Sequence, residues 1–235
     1  MISKSTFKKR RDSLQKGIYF IINPFVKLLI RMGVTPNMVT TIGLLGNIAA
    51  AVLIVWAGYA YTTNPVDGEI RFDLITWAGG VTILFSLFDM LDGQVARIGH
   101  MESRFGALYD SVLDRYCELF TVGAISYFLI CTGFPAGALV AFLALVGSVM
   151  VSYVRARAEG LGIECKIGFM QRPERVVVTA VGCLVAGIVG LNSPNEPKVA
   201  ITILIIAMAI IAIFANLTAF ARVGAVSYTH LTLPT

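Results

Sequence analysis

The sequence predicts an all-α integral membrane protein: six transmembrane helices preceded by an N-terminal amphipathic helix lying in the membrane interface. Composition is the first reason. Hydrophobic residues make up 57% of the chain and charged residues 14%, against about 25% charged in a typical soluble domain; mean hydropathy is +0.78. Length is the second. At about 20 residues per span, the apolar segments of the 235 residues form six helices and leave no room for a separate soluble domain. The third is where the cations fall. Lys4, Lys8, Lys9, Arg10, Arg11 and Lys16 precede the first span. Arg97 and Arg104 lie between the second and third spans, and Arg155, Arg157, Lys166, Arg172 and Arg175 between the fourth and fifth. The outer loops hold Arg71 and Lys198. The positive-inside rule then places both termini and the two basic loops in the cytoplasm. With this hydropathy, a net charge of +5 points to anionic headgroups and phosphorylated substrates rather than nucleic acid.

Taken in order, residues 1–32 form a cytoplasmic or interfacial segment. Leu14, Ile18, Ile21, Phe25, Leu28 and Leu29 recur at helical spacing opposite a basic face, a pattern suited to the surface of an anionic membrane. Pro24 is expected to kink or break this helix. No cleavable signal peptide is expected, because the basic start lacks a compact apolar core and cleavage site. Residues 33–225 form the six-helix domain. Gly33 and Pro36 punctuate a turn, with Thr35 as cap and Pro36 at the first helical position; the first span runs to about Tyr61. A polar loop over 62–73 leads to a second span from about Leu74, and a third runs from about Ser103 to Cys131. After a turn at Gly133, Phe134 and Pro135, the fourth span reaches about Arg157. Its small residues at 137, 138, 141, 144, 147 and 148 allow close helix packing. The fifth and sixth spans cover about 174–191 and 199–221. The Thr-rich segment 226–235 differs in character and reads as a non-native tail. The cysteines at 117, 131, 165 and 183 show no metal-ligand spacing and read as packing residues.

Chemistry concentrates in residues 89–114, DMLDGQVARIGHMESRFGALYDSVLD. Asp89 and Asp92 are three residues apart, and Asp110 and Asp114 four apart, so each pair shares a helix face. A carboxylate at the centre of a membrane helix costs roughly 2.5–3.5 kcal/mol on insertion scales. Two such helices side by side converge four carboxylates, a hard-oxygen set suited to Mg²⁺ or Mn²⁺. With Arg115 the only adjacent cation in sequence, two divalent ions are expected. Gly93 lets a ligand approach the backbone, Ala96 keeps the same face small, Arg97 offers a planar phosphate donor, and Gly106 opens space beside Asp110.

The stretch reads D-x2-D-G-x2-A-R-x8-G-x3-D-x3-D. It resembles the signature of the CDP-alcohol phosphotransferase family at all eight specified positions. The entry T-P-N-x-V-T at 35–40 is similar to that of many members. The resemblance implies a transferase of phospholipid biosynthesis that moves a phosphatidyl group from CDP-diacylglycerol to an alcohol and releases CMP. By resemblance Asp89, Asp92 and Asp110 hold one ion, and Asp89, Asp110 and Asp114 the other, with Asp114 also the base. Asn37, Thr40, Gly93, Ala96, Arg97, Ser103 and Gly106 line the CDP site, although Asn37 and Thr40 read equally well as capping groups and Ser103 as an N-cap. The elements S-Y-x-R/K-A-R-A-E and R-P-E-R in 152–175 resemble the bacterial phosphatidylinositol phosphate synthase branch. There the residues matching Arg155, Arg175 and Arg222 bind the phosphate of an inositol phosphate acceptor. Snorkelling anchors at helix ends are the alternative for these arginines. The expected setting is the bacterial inner membrane, multi-pass, with the site facing the cytoplasm; a homodimer is compatible with this reading. Glycerol 3-phosphate is the rival acceptor, and a cation transporter the rival class, since intramembrane carboxylates also mark ion pathways.

Overall fold

The computed structural model describes residues 23–63, 69–165 and 167–232. Most of the expected interfacial helix therefore lies outside the described residues, as do Lys166 and the last residues of the tail. The described residues form seven helices. These are α1 (23–31), α2 (Pro36–Thr63), α3 (Phe72–Ile98), α4 (Arg104–Cys131), α5 (Pro135–Gly160), α6 (Arg172–Asn192) and α7 (Pro197–Thr232). By length and apolarity α2, α3, α5, α6 and α7 qualify as membrane spans. The α4 helix is long enough, but Asp114, Arg115 and Glu118 interrupt its apolar run. The α7 helix continues to Thr232, so the segment set apart from residue 226 starts out helical.

The chain divides into two compact units. The first takes the residues up to Gly43 together with Ser86–Leu113, that is α1, the start of α2, the end of α3 and the start of α4. Its core is Val26, Val39, Leu91 and Val95, flanked by Leu29, Ile30, Phe88 and Ile98. The turn from α1 to α2 follows the expected chemistry. Gly33 adopts φ +76°, and the Val34 N–H reaches back to the Leu29 carbonyl at 3.0 Å, a closure that requires a left-handed residue. Thr35 then caps α2, its Oγ1 accepting from the Met38 N–H at a long 3.4 Å.

The second unit takes Leu44–Phe85 and the residues from Asp114 onward. Its core mixes large residues, Phe128, Ile54, Ile201 and Met208, with a stripe of alanines. The six small α5 residues singled out by sequence are all buried. Two of them, Gly137 and Gly147, face α7: a Cβ added at Gly147 would sit 2.6 Å from Asn216 Nδ2 and 3.0 Å from Ala215 Cβ. The Asn216 amide donates across the same seam to the Leu143 carbonyl at 3.1 Å and along its own helix to the Ala212 carbonyl at 2.7 Å. Small residues bring the backbones close, and the amide ties them where lipid offers no hydrogen-bond partner.

Gly147→Leu should wedge these helices apart, at an overpacking cost of about 1–3 kcal/mol, and lower the midpoint of thermal unfolding in detergent. Gly123→Ala, where an added Cβ meets nothing within 4 Å, should leave it unchanged or raise it slightly. Equal midpoints for the two variants would contradict the packing described.

Candidate active site

The first unit gathers most of the signature stretch. The α3 helix carries Asp89 and Asp92 in its last turns, and α4 carries Asp110 in its second. Their carboxylate oxygens lie within 4.8 Å of one another. Three carboxylates this close repel unless a cation or proton intervenes, and an all-oxygen set is what Mg²⁺ or Mn²⁺ takes. The donor set therefore fits a divalent ion.

Asp92 is held at both oxygens. Thr40 Oγ1 donates to Asp92 Oδ2 at 2.8 Å, while the Gly93 N–H points at Oδ1. Both Thr40 and Asp92 are buried. Thr40 Oγ1 also lies 3.0 Å from the Pro36 carbonyl. Thr40, expected to contact a nucleotide, thus has a positioning task on a carboxylate.

A cavity of about 310 Å³ opens beside this cluster. Asn37 and Thr40 of α2 line it, with Asp92, Gly93, Ala96 and Arg97 of α3. Ser103, Gly106 and Asp110 line it as well. Every residue assigned by sequence to nucleotide binding is there. Ser103 serves as the N-cap of α4, its Oγ accepting from the Gly106 N–H at 2.9 Å, and lines the cavity as well. A Cβ on Gly106 would come 3.0 Å from Ser103 Oγ and 3.4 Å from Asn37 Oδ1, so glycine preserves the opening. Arg97 folds back, Nε donating to the Gly93 carbonyl at 2.9 Å.

Asp114, one turn beyond Asp110 in α4, belongs to the second unit. Sequence spacing counted only Arg115 as its neighbour. The fold adds Arg172, whose Nη2 lies 2.6 Å from Asp114 Oδ1, with Arg115 Nη1 at 3.7 Å from Oδ2. A second cavity, of about 120 Å³, is lined by Arg115, Arg155, Arg172, Arg175 and Arg222. All three arginines assigned to an acceptor phosphate meet there. Arg155 pairs with Glu159 one turn on, at 2.9 Å and half exposed. Arg222 is buried, Nε donating to the Ile167 carbonyl and Nη1 to the Val151 carbonyl, each at 2.7 Å. Arg175 is buried against Glu118, Nε to Oε1 at 2.7 Å and Nη2 to Oε2 at 3.1 Å.

Sequence reasoning missed Arg172 and Glu118. A signal existed for each. Glu118 continues the four-residue spacing of Asp110 and Asp114, and Arg172 opens the R-P-E-R element.

Comparison with known proteins agrees with this geometry. Phosphatidylinositol phosphate synthase of Corynebacterium glutamicum is 34% identical over 189 residues, covering 80% of this chain and 78% of its own. Archaetidylinositol phosphate synthase of Methanothermobacter thermautotrophicus is 39% identical over 131 residues, 56% of this chain and 64% of its own. Among solved structures, Mycobacterium tuberculosis phosphatidylinositol phosphate synthase with CDP-DAG bound superposes with a TM-score of 0.70 at 28% identity, covering 88% and 93% of the two chains. The same enzyme in complex with manganese and citrate gives 0.72 at 27% identity, covering 86% and 87%. The CDP-alcohol phosphatidyltransferase profile matches residues 33–231, and it is around the signature aspartates of that span that the cavity and carboxylate cluster form: the chain belongs to the CDP-alcohol phosphatidyltransferase family.

Proposed function

We propose that this chain transfers a phosphatidyl group from CDP-diacylglycerol to an inositol phosphate, releasing CMP. The observation that carries the reading is the carboxylate cluster of Asp89, Asp92 and Asp110, beside a cavity lined by the signature residues. Asn37, Gly93, Ala96, Arg97, Ser103 and Gly106 bind the CDP moiety, and Thr40 orients Asp92. Asp89, Asp92 and Asp110 hold one divalent ion, Mg²⁺ or Mn²⁺, and Asp114 is a ligand for a second. When bound, such ions neutralise a pyrophosphate and favour in-line displacement. Asp114 accepts the proton of the acceptor hydroxyl, a task for a carboxylate within reach of the nucleophile.

The arginine cavity supports a phosphorylated acceptor. Five guanidiniums line it. Asp114, Glu118 and Glu159 pair with four of them, so five positive charges less three negative ones leaves two. That residue of charge suits a dianionic phosphate monoester, which Arg155, Arg175 and Arg222 bind. A cation pathway would gain nothing from this concentration of arginine. Six spans, with α4 as the sixth, an interfacial N-terminal helix and both termini in the cytoplasm complete the proposal. Acyl chains then stay in lipid while the site meets water-soluble substrates from the cytosol.

Asp89→Asn and Asp110→Asn should each abolish CMP release from CDP-diacylglycerol. The folded state should survive, because removing one of three crowded carboxylates relieves repulsion. Turnover retained in either variant, or in excess EDTA, would contradict the metal assignment. Topology is checked separately in a cysteine-free background. A membrane-impermeant thiol reagent applied outside the cell should label Asn195→Cys and spare His100→Cys, both at exposed positions; the reverse pattern would overturn the cytoplasmic site.

A further inference from the structure

Two charged rungs join α4 and α6. Asp114 meets Arg172, and one turn along α4 Glu118 meets Arg175. The rungs differ in kind. The first is a single close contact with side chains 11% and 24% exposed. The second is bidentate and more deeply buried, at 8% for Glu118 and 2% for Arg175. A third guanidinium nitrogen of Arg175, Nη1, donates to the Met170 carbonyl at 3.1 Å. Three of the five N–H groups of an arginine are therefore spent on internal partners. Two remain for a ligand, and Arg175 lines the arginine cavity.

Four other guanidiniums line the same cavity. A flexible arginine among them would be repelled and would seek another rotamer. The planar fork of a guanidinium matches a carboxylate bidentately, which fixes the direction of its remaining donors as well as its position. Glu118 is one methylene longer than an aspartate, and its carboxylate reaches the fork of Arg175 on a neighbouring helix.

We propose that Glu118 is a positioning residue for the acceptor phosphate, acting through Arg175. It orients the two remaining N–H groups and cancels one positive charge, which tunes the cavity to a dianionic monoester. The inference rests on the acceptor reading of the cavity given above, and its test separates the two.

The full chain is purified in lipid nanodiscs, and initial rates are measured against inositol 1-phosphate and CDP-diacylglycerol for Arg175→Gln, Glu118→Gln and the double variant. Each single variant should raise KM for inositol 1-phosphate about tenfold or more, the scale of one lost charge-assisted hydrogen bond. KM for CDP-diacylglycerol should stay within about threefold in both, a split that a general loss of structure would not produce. The double variant should be no worse than Arg175→Gln alone, since Glu118 has nothing left to act through. If Glu118→Gln leaves a buried guanidinium unpaired and does not fold, the double variant, with two neutral amides, still carries the comparison. A rise in acceptor KM for Arg175→Gln but not Glu118→Gln would overturn the proposal, as would a double variant worse than Arg175→Gln or an equal rise in both KM values. An unchanged acceptor KM in Arg175→Gln would remove the acceptor reading itself and this inference with it.

Discussion

Charge inside an apolar helix bundle must be answered by charge, and the functional half of this protein is arranged around that requirement. The α4 helix carries Asp110, Asp114, Arg115 and Glu118 in nine residues. Breaking one partner of a buried ion pair costs about 3–5 kcal/mol, so Glu118 and Arg175 hold each other in place on α4 and α6. Asp114 and Arg172 do the same one turn away. Asp89, Asp92 and Asp110 are gathered with one another, an arrangement that stores repulsion until a cation relieves it. The same physical rule thus produces two outcomes, a carboxylate cluster suited to metal and a guanidinium cavity suited to phosphate.

The supporting structure is built to keep those groups still. Asp92 is fixed at both oxygens by Thr40 and the Gly93 N–H. Ser103 caps the start of α4 by accepting from the Gly106 N–H, and the missing side chain of Gly106 leaves room beside Ser103 and Asn37. In the second unit, Arg222 reaches two backbone carbonyls on different segments. The α5–α7 seam is closed by small residues and by Asn216. Preorganisation of this kind matters for phosphoryl chemistry, where positioning and electrostatic stabilisation supply most of the rate.

Much of this was legible in the sequence, for local reasons. Helical spacing put Asp89 with Asp92 on one face, Gly33 and Pro36 marked a turn that closes as expected, and the small residues of α5 marked a close seam. The signature stretch and the entry at 35–40 supplied the residues expected at the nucleotide, all of which line one cavity. What stayed hidden depends on contacts far apart in the chain. Arg175 and Glu118 are 57 residues apart, and Thr40 and Asp92 are 52 apart. Spacing rules reach only one or two turns, so Thr40 read as a nucleotide contact or a cap, and Arg175 as a phosphate ligand without its anchor. The α4 helix fell short of a clear membrane span because hydropathy counts Asp114 and Glu118 as polar, although the fold answers both with arginines of α6.

The proposed function turns on the arginine cavity selecting a phosphorylated acceptor. It is tested most directly by measuring CMP release from CDP-diacylglycerol by the purified chain with Mg²⁺, offering inositol 1-phosphate, glycerol 3-phosphate, inositol and serine in turn. Release with inositol 1-phosphate should lie well above that with glycerol 3-phosphate, with none above background for inositol or serine. Equal release with inositol or serine would show that the five guanidiniums do not read a phosphate, and would contradict it.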